Sequence, residues 1–367
     1  MAGIKDIYHT ARRYIYLLRK LMLSMGSKTV IYTKQHPIYT SLFEELGLKE
    51  FTPVLIDLKK PHSNFLEKRL LNKAPLLHID SANMPAKPYG KNIIVECEAT
   101  PYDRYFSNAE IKKILVESKT AGKGFEHNNK VALSYPAVMP RAYTPRVVKK
   151  DKSITLLSVG HGGYIKGYDV LYKMYRQLSQ QYNIKLIIAG SFGHNYTHYP
   201  EVKKESYERE DFPRIYKELA ADKNVTIRPF KRKELFETIY PSADIYVQFS
   251  RMETFGYSIL EAMSFGLPVI SCHFKAIPEM VAHGSNGYLV NSNGYNESTN
   301  DYNIDINLPR WGENCYNESL NYFTTLLNDS EKREQFGRSS VSIVSEKFNL
   351  IHKRQFIEAL YKDCINA

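Results

Sequence analysis

The run Glu253–Val290, ETFGYSILEAMSFGLPVISCHFKAIPEMVAHGSNGYLV, constrains this chain more than any other stretch. Two carboxylates, Glu253 and Glu261, lie eight positions apart, with Phe255-Gly256 between them. Tyr257, Leu260, Ala262, Met263 and Phe265 give the intervening residues an apolar face at helical spacing. Gly266 suits the end of that helix, because glycine enters the left-handed conformation at little cost, and Pro268 cannot continue it. Pro-Val-Ile-Ser then reads as a short buried strand. Glu253 therefore precedes a helix N-terminus. Thr254, Phe255, Gly256 and Tyr257 present backbone N–H groups there, where an anion is favoured, and Glu261 follows about two turns in. A carboxylate at each end of such a loop suits a ligand with phosphate in the middle and hydroxyls at both ends, which describes a nucleotide sugar.

The order Glu-x-Phe-Gly-x4-Glu-Ala-Met-x2-Gly-x-Pro-Val, then Ile-Pro-Glu and Asn-Gly-Tyr-Leu-Val, resembles the retaining, GT-B-fold nucleotide-sugar glycosyltransferases of group 1, family four. The resemblance implies an α/β chain of two Rossmann-like, doubly wound domains facing a central cleft. It implies that Glu253 lies against the transferred sugar and that Glu261 accepts hydrogen bonds from ribose hydroxyls. It also implies a strand, glycine turn and helix with basic side chains on the diphosphate. Ile154–Val159 followed by Gly160-His161-Gly162-Gly163-Tyr164-Ile165-Lys166-Gly167 has that layout. Lys166 matches, whereas His161 stands where the family places arginine, and a neutral imidazole is a poorer diphosphate ligand than a guanidinium. Arg251 is one possible substitute. The family's strand-end residue against the donor sugar corresponds to His78 or Asp80, and the residue near the nucleobase to Arg228 or Phe230.

Elsewhere, alternating strand and helix patterns argue for parallel sheets. In the first part the strands are Thr29–Thr33, Pro53–Leu58, Pro75–Ile79, Asn92–Cys97 and Lys130–Ser134; Ile111–Ser118 fits helix or strand. A helix spans Tyr39–Leu46, and the loop Lys34–Pro37 lacks the glycine pair usual in the family. Glu96 and Glu98 would share one face of a strand, facing either acceptor hydroxyls or nearby lysines. In the second part, helices are expected over Tyr168–Gln180, Lys231–Tyr240, Tyr316–Leu327 and Glu331–Glu346. Strands are expected over Ile184–Ala189, Asn224–Ile227 and Ala243–Gln248. The tracts Gly193–Glu210 and Asn291–Leu308 read as loops, and Glu279 as part of a helix start beside the donor pocket. The expected domains are a basic amphipathic helix in 1–27, an acceptor-side domain over 28–147, and a nucleotide-sugar domain over 148–346. By resemblance, a final helix in 347–367 returns to the first domain.

Charge is uneven. Residues 1–150 hold 25 Lys and Arg against 13 Asp and Glu, and the remainder is near balance, so the net +11 belongs to the first part. Anionic lipid, an anionic acceptor, nucleic acid or a solubility surface each accounts for it; no nucleic-acid motif accompanies it. Residues 4–23 form a basic amphipathic pattern that suits either an interfacial membrane anchor or a helix packed on the first domain. There is no apolar run of about 18 residues and no continuous apolar signal region, and Cys97, Cys272, Cys315 and Cys364 form no CxxC pair. The expectation is a cytoplasmic enzyme with reduced thiols, peripheral on the inner membrane face. It would need no cofactor beyond a UDP- or GDP-sugar donor and, lacking an Asp-x-Asp motif after a strand, no metal. The acceptor would be a glycan or lipid-linked hydroxyl, reached by hexose transfer. The alternatives are a non-catalytic nucleotide-sugar-binding subunit, or an enzyme acting on protein or small molecules.

Overall fold

Among the described residues, two six-stranded sheets, each wholly parallel, organise the chain. The computed structural model describes residues 28–33, 47–56, 71–81, 90–97, 101–146, 151–192, 204–291 and 309–366. The basic helix in 4–23, the helix Tyr39–Leu46, the loop Lys34–Pro37, Glu98 and positions 292–308 lie outside the described residues. The strands are β1 (Thr29–Thr33), β2 (Thr52–Ile56), β3 (Leu76–Asp80), β4 (Ile93–Cys97), β5 (Ile111–Val116), β6 (Val131–Leu133), β7 (Ile154–Val159), β8 (Ile184–Ala189), β9 (Val225–Arg228), β10 (Ile245–Gln248), β11 (Val269–Cys272) and β12 (Gly287–Val290). The longer helices are α1 (Tyr168–Leu178), α2 (Phe212–Ala220), α3 (Tyr257–Ser264), α4 (Pro309–Asn328), α5 (Ser330–Lys347) and α6 (Leu350–Asn366). The chain divides into unit 1, Met1–Val138 with Phe348–Ala367, and unit 2, Met139–Lys347.

In unit 1 the strand order is β2-β1-β3-β4-β5-β6. Strands β3 and β4 are buried along their whole length, as expected of parallel strands covered on both faces. Leu77, Ile79, Ile93 and Val95 pack on one face with Tyr105. Leu76, Ile94 and Leu115 pack on the other against Leu350, Ile357 and Tyr361 of α6. Burying each such side chain contributes about 1.5–3 kcal/mol, which fixes α6 to this sheet. The segment Ile111–Val116 resolves as strand, the residue pattern alone having fitted helix equally well.

In unit 2 the order is β12-β11-β10-β7-β8-β9. Read from the far edge this is the doubly wound order in which the strand sequence reverses between β7 and β10, and ligands bind beyond the carboxyl ends at such a switch point. The segment 139–146, expected to lie on the acceptor side of the boundary, belongs to unit 2. The Arg146 guanidinium caps the carbonyls of Tyr240, Pro241 and Phe265, and Arg141 lies 4.1 Å over the Phe265 ring.

Two expectations for unit 2 change, and one helix is added to them. The polar tract before Asp211 contains a helix, Lys204–Arg209, within its described part. Helix α2 follows, with Asp211 accepting from the Arg214 N–H and Pro213 in the first turn. The expected helix Lys231–Tyr240 runs as Arg232–Glu234, a π-helical turn Leu235–Ile239, and Tyr240–Ser242. In that turn the Tyr240 N–H bonds to Leu235 O, and Pro241 follows without an N–H to give. All four cysteines are buried thiols, and the Cys272 and Cys315 sulfurs are 3.8 Å apart. Among the described residues no helix is long and apolar enough to cross a membrane.

Candidate functional site

The turn after β7 and the turn after β10 meet at the switch point of unit 2. Gly167 starts α1 at φ +67, and a Cβ there would stand 1.9 Å from Phe249 O. Only glycine lets the two turns approach this closely. The Lys166 stem lies against Gly160, where a Cβ would meet Lys166 Cε at 2.8 Å. So placed, Lys166 Nζ donates to Glu253 Oε2 at 2.6 Å. The two side chains are 17% and 12% exposed, so the pair borders solvent.

A second donor reaches the same oxygen. Gln248, the last residue of β10, gives Nε2–H to Glu253 Oε2 at 2.8 Å and to Ser250 Oγ at 2.8 Å. Its Oε1 meets Tyr246 OH at 2.5 Å and Ser258 Oγ at 2.9 Å. Burial, the largest influence, pushes the Tyr246 phenol well above its usual pKa, so it stays a donor. Glu253 Oε1 has no hydrogen-bond partner among the described residues.

Gly256, at φ +100, supplies the left-handed residue ahead of α3. Phe255 is fully buried, Thr254 exposed and Tyr257 half-buried. Ile259, Leu260, Ala262 and Met263 are fully buried and anchor α3. That anchoring places Glu261 against the helical run from Arg232. Arg232 Nη1 donates to Glu261 Oε1 at 2.7 Å and Tyr240 OH to Oε2 at 2.8 Å. Burial, and then the charge on Glu261, raise the Tyr240 phenol well above its ordinary value, which keeps that proton in place.

The glycine turn differs from the expected phosphate cradle. The N–H groups of Gly160, Gly162 and Gly163 donate to Ala189, Ser191 and Phe192 carbonyls, tying the turn to the end of β8. A Cβ at Gly163 would meet the Phe212 ring at 2.8 Å, so that glycine makes room for α2. The charge on this turn is carried by the Lys166 side chain. His161 is exposed, with Nδ1 3.0 Å from Ser191 Oγ. Arg251 is not a phosphate ligand. It is 3% exposed and grips Asp169 through Nη1 at 2.6 Å and Nη2 at 2.7 Å, between the Tyr164 and Trp311 rings at 4.1 and 4.3 Å. Burial opposes its charge, but Asp169 outweighs that and holds the guanidinium above its ordinary pKa.

Arg228 ends β9, lies 3.8 Å over the Phe230 ring and pairs with Glu234 at 2.6 Å. A cavity of about 540 Å³ opens beside it, walled by Phe192, Phe212, Tyr216 and Ile227, with Ser191 on its rim. His78 and Asp80 belong to unit 1 and are both buried. The His78 ring, 0% exposed, has Nδ1 2.6 Å from Tyr361 OH and Nε2 3.0 Å from Glu96 Oε2. It serves there as a core hydrogen-bonding group rather than at a surface open to ligand. Glu96 turns its other oxygen to Lys353 Nζ at 3.0 Å, which is the lysine-facing reading of that carboxylate. The described residues contain no group of three or more His, Cys, Asp or Glu that could hold a metal ion.

Lys166 and Glu253, singled out in the sequence, are in contact in the structure and Glu261 follows on α3; their partners Gln248, Ser258, Arg232 and Tyr240 were not singled out. For Tyr240 and Arg232 the available signal was a helix delivering polar tips toward the glutamate pair. For Gln248 it was a polar residue ending an otherwise apolar strand next to the motif.

Residues 141–305 match the family model of glycosyl transferases group 1. An uncharacterized glycosyltransferase of Haemophilus influenzae is 27% identical over 214 residues, which cover 57% of this chain and 52% of that protein. The chain thus spans about half the length of this curated relative. The crystal structure of Anabaena Alr3699/HepE in complex with UDP and glucose superposes with a TM-score of 0.60 at 13% identity, covering 90% of this chain and 98% of that one. Sucrose-phosphate synthase from Thermosynechococcus elongatus superposes with a TM-score of 0.61 at 15% identity, covering 92% and 98%. The fold is therefore that of the GT-B glycosyltransferase structures, and within it residues 141–305 are similar to glycosyl transferases group 1.

Proposed function

We propose that the protein transfers a hexose from a UDP- or GDP-sugar to an acceptor hydroxyl with retention at the anomeric carbon. The observation that carries this is the Lys166–Glu253 pair at the switch point, with one carboxylate oxygen left over. As the nucleoside diphosphate departs, negative charge grows on its phosphate oxygens. Lys166 has three donors and spends one on Glu253, so it retains N–H groups for that charge. Glu253 Oε1 meets the sugar near its reacting carbon and stabilises positive charge there. Glu261, held by Tyr240 and Arg232, accepts from the ribose hydroxyls, with Thr254, Phe255, Gly256 and Tyr257 lining the path between. Arg228, Phe230 and the neighbouring aromatic cavity take the nucleobase end, and His161 stands at the mouth of the glycine turn. These groups stabilise the leaving diphosphate without recourse to a metal.

The acceptor is a glycan or lipid-linked hydroxyl at the cytoplasmic membrane face. The net charge of residues 1–150, 25 Lys and Arg against 13 Asp and Glu, supports an anionic surface as the meeting place. The neighbour bound to UDP and glucose supports the donor class.

The test is release of UDP or GDP from the matching sugar donors in water and with lipid-linked acceptors, comparing native protein with Glu253→Gln. Release by the native protein alone supports transferase activity. Donor binding with no release under any condition would replace it with a nucleotide-sugar-binding subunit, a reading that the histidine at position 161 favours.

A further inference from the structure

We propose that Gln248 is the positioning residue of this site: its amide holds Glu253 so that Oε2 is shared with Lys166 while Oε1 stays unclaimed. The inference rests on the transferase reading and goes beyond it to a residue that never touches the donor. Gln248 is 1% exposed, at the end of a strand whose other side chains, Ile245 and Val247 among them, are buried and mostly apolar. A buried amide costs stability unless all its groups are bonded, and here they are. Both Nε2 protons are spent, on Ser250 and Glu253, and Oε1 faces the Tyr246 and Ser258 hydroxyls. Tyr246 OH is also 2.8 Å from Ser258 Oγ, so the three side chains close on one another across β10 and α3.

The network has a direction. Turning the amide over would set Oε1 against a carboxylate oxygen and Nε2 against two hydroxyls, so the donor end must face Glu253. A carboxylate left with Lys166 alone would be free to turn about that one contact, carrying Oε1 away from the reacting carbon while the ammonium keeps N–H groups for the diphosphate. With Gln248 present, one oxygen is pinned between two donors and the other is withheld from the lysine. The same strand thus sets the sugar-facing group.

Three variants test this, read by donor hydrolysis and, separately, by affinity for the nucleoside diphosphate alone. Gln248→Met keeps the volume and removes the donor; kcat should fall about tenfold or more, since small misplacement of a reacting group costs up to about a hundredfold, while diphosphate affinity changes little. Gln248→Glu keeps the shape and turns the donor into a second acceptor. The titratable groups facing that side chain are Glu253, Tyr246 and, through Glu253, Lys166. Two carboxylates at one site hold a shared proton to higher pH, so the protonated variant becomes a donor again. Its activity relative to native protein should therefore rise as pH falls from about 8 to about 5. Tyr246→Phe removes one hydroxyl behind the amide and keeps the fold testable should the others misfold; it should lower kcat about twofold to fivefold.

A purely structural role would lower melting temperature without the kcat-against-KM split or the new acid limb. Native hydrolysis rates in folded Gln248→Met, or a Gln248→Glu profile parallel to native, would overturn the positioning role alone. A native protein that binds none of the nucleotides would remove the donor reading and this role together.

Discussion

Glu96 on β4 and Glu253 after β10 each sit at the carboxyl end of a parallel strand, and each meets a lysine. Their surroundings differ. Glu96 is 3% exposed, with one oxygen on Lys353 and the other on His78, whose second nitrogen goes to Tyr361. Every group in that chain of contacts is used inside unit 1, and it joins two strands to α6. Glu253 borders solvent and has both donors on one oxygen. A carboxylate whose partners are all buried with it specifies packing, whereas one that borders solvent, as Glu253 does, or pairs with a half-exposed arginine, as Glu261 does with Arg232, keeps capacity for a ligand. Residue type and position in the sheet do not separate the two; access of the carboxylate and its charged partner to solvent does.

The comparison breaks most visibly in stability. Glu96→Leu leaves Lys353 buried without its carboxylate and should cost about 3–5 kcal/mol in denaturant unfolding. Glu253→Leu, at the solvent-bordering pair, leaves one N–H of buried Gln248 without its acceptor and should cost about 1–3 kcal/mol. Equal costs would erase the distinction. The second effect is catalytic. Glu253→Ala should reduce donor turnover about a hundredfold, in the range seen when one preorganised electrostatic group is lost, with the fold intact by circular dichroism.

The third effect is an acid one. Burial raises the Glu96 pKa, but Lys353 and His78 outweigh it and hold the group below the ordinary carboxylate value of 4.5. A depressed folded pKa means that the stabilisation is complete above the unfolded value and is lost as pH falls through the folded one. Native stability should therefore decline below about pH 4, and Glu96→Gln should flatten that decline in urea midpoints measured from pH 3 to 7. The smallest effect concerns the second glutamate of the site. Arg232 is partly exposed and stacks 4.4 Å from the Phe236 ring, and Tyr240 still holds Glu261 without it. Arg232→Ala should change nucleotide affinity by about threefold or less in titration calorimetry.

Where the physics is local, the sequence could be read. Gly256, Gly266 and Pro268 punctuate α3, and its apolar residues repeat at helical spacing, so Glu253 and Glu261 were placed correctly around it. Helix α2 carries local signals too: Asp211 as cap, Pro213 in the first turn, and Phe212, Ile215 and Leu219 on one face. The long-range pairings had no such signal. Arg251 stands two residues before the motif, yet its partner Asp169 is 82 positions away, and that pairing takes it out of the site. His78 reads as a strand-end ligand only until α6 returns Tyr361, 283 positions later, to claim its ring. The glycine turn looked like a phosphate cradle because its N–H bonds to the end of β8 depend on strand order rather than on composition.

The most direct measurement is thermal stabilisation of the native protein by UDP, GDP and their hexose conjugates, with Glu261→Ala and Arg251→Lys as the compared variants. A nucleotide at a hundred times its dissociation constant should add about 2.7 kcal/mol to folding stability and raise Tm accordingly. The account predicts a shift with one nucleotide series, lost in Glu261→Ala and kept, from a lower starting Tm, in Arg251→Lys. No shift with any nucleotide, or one that survives Glu261→Ala unchanged, would contradict it.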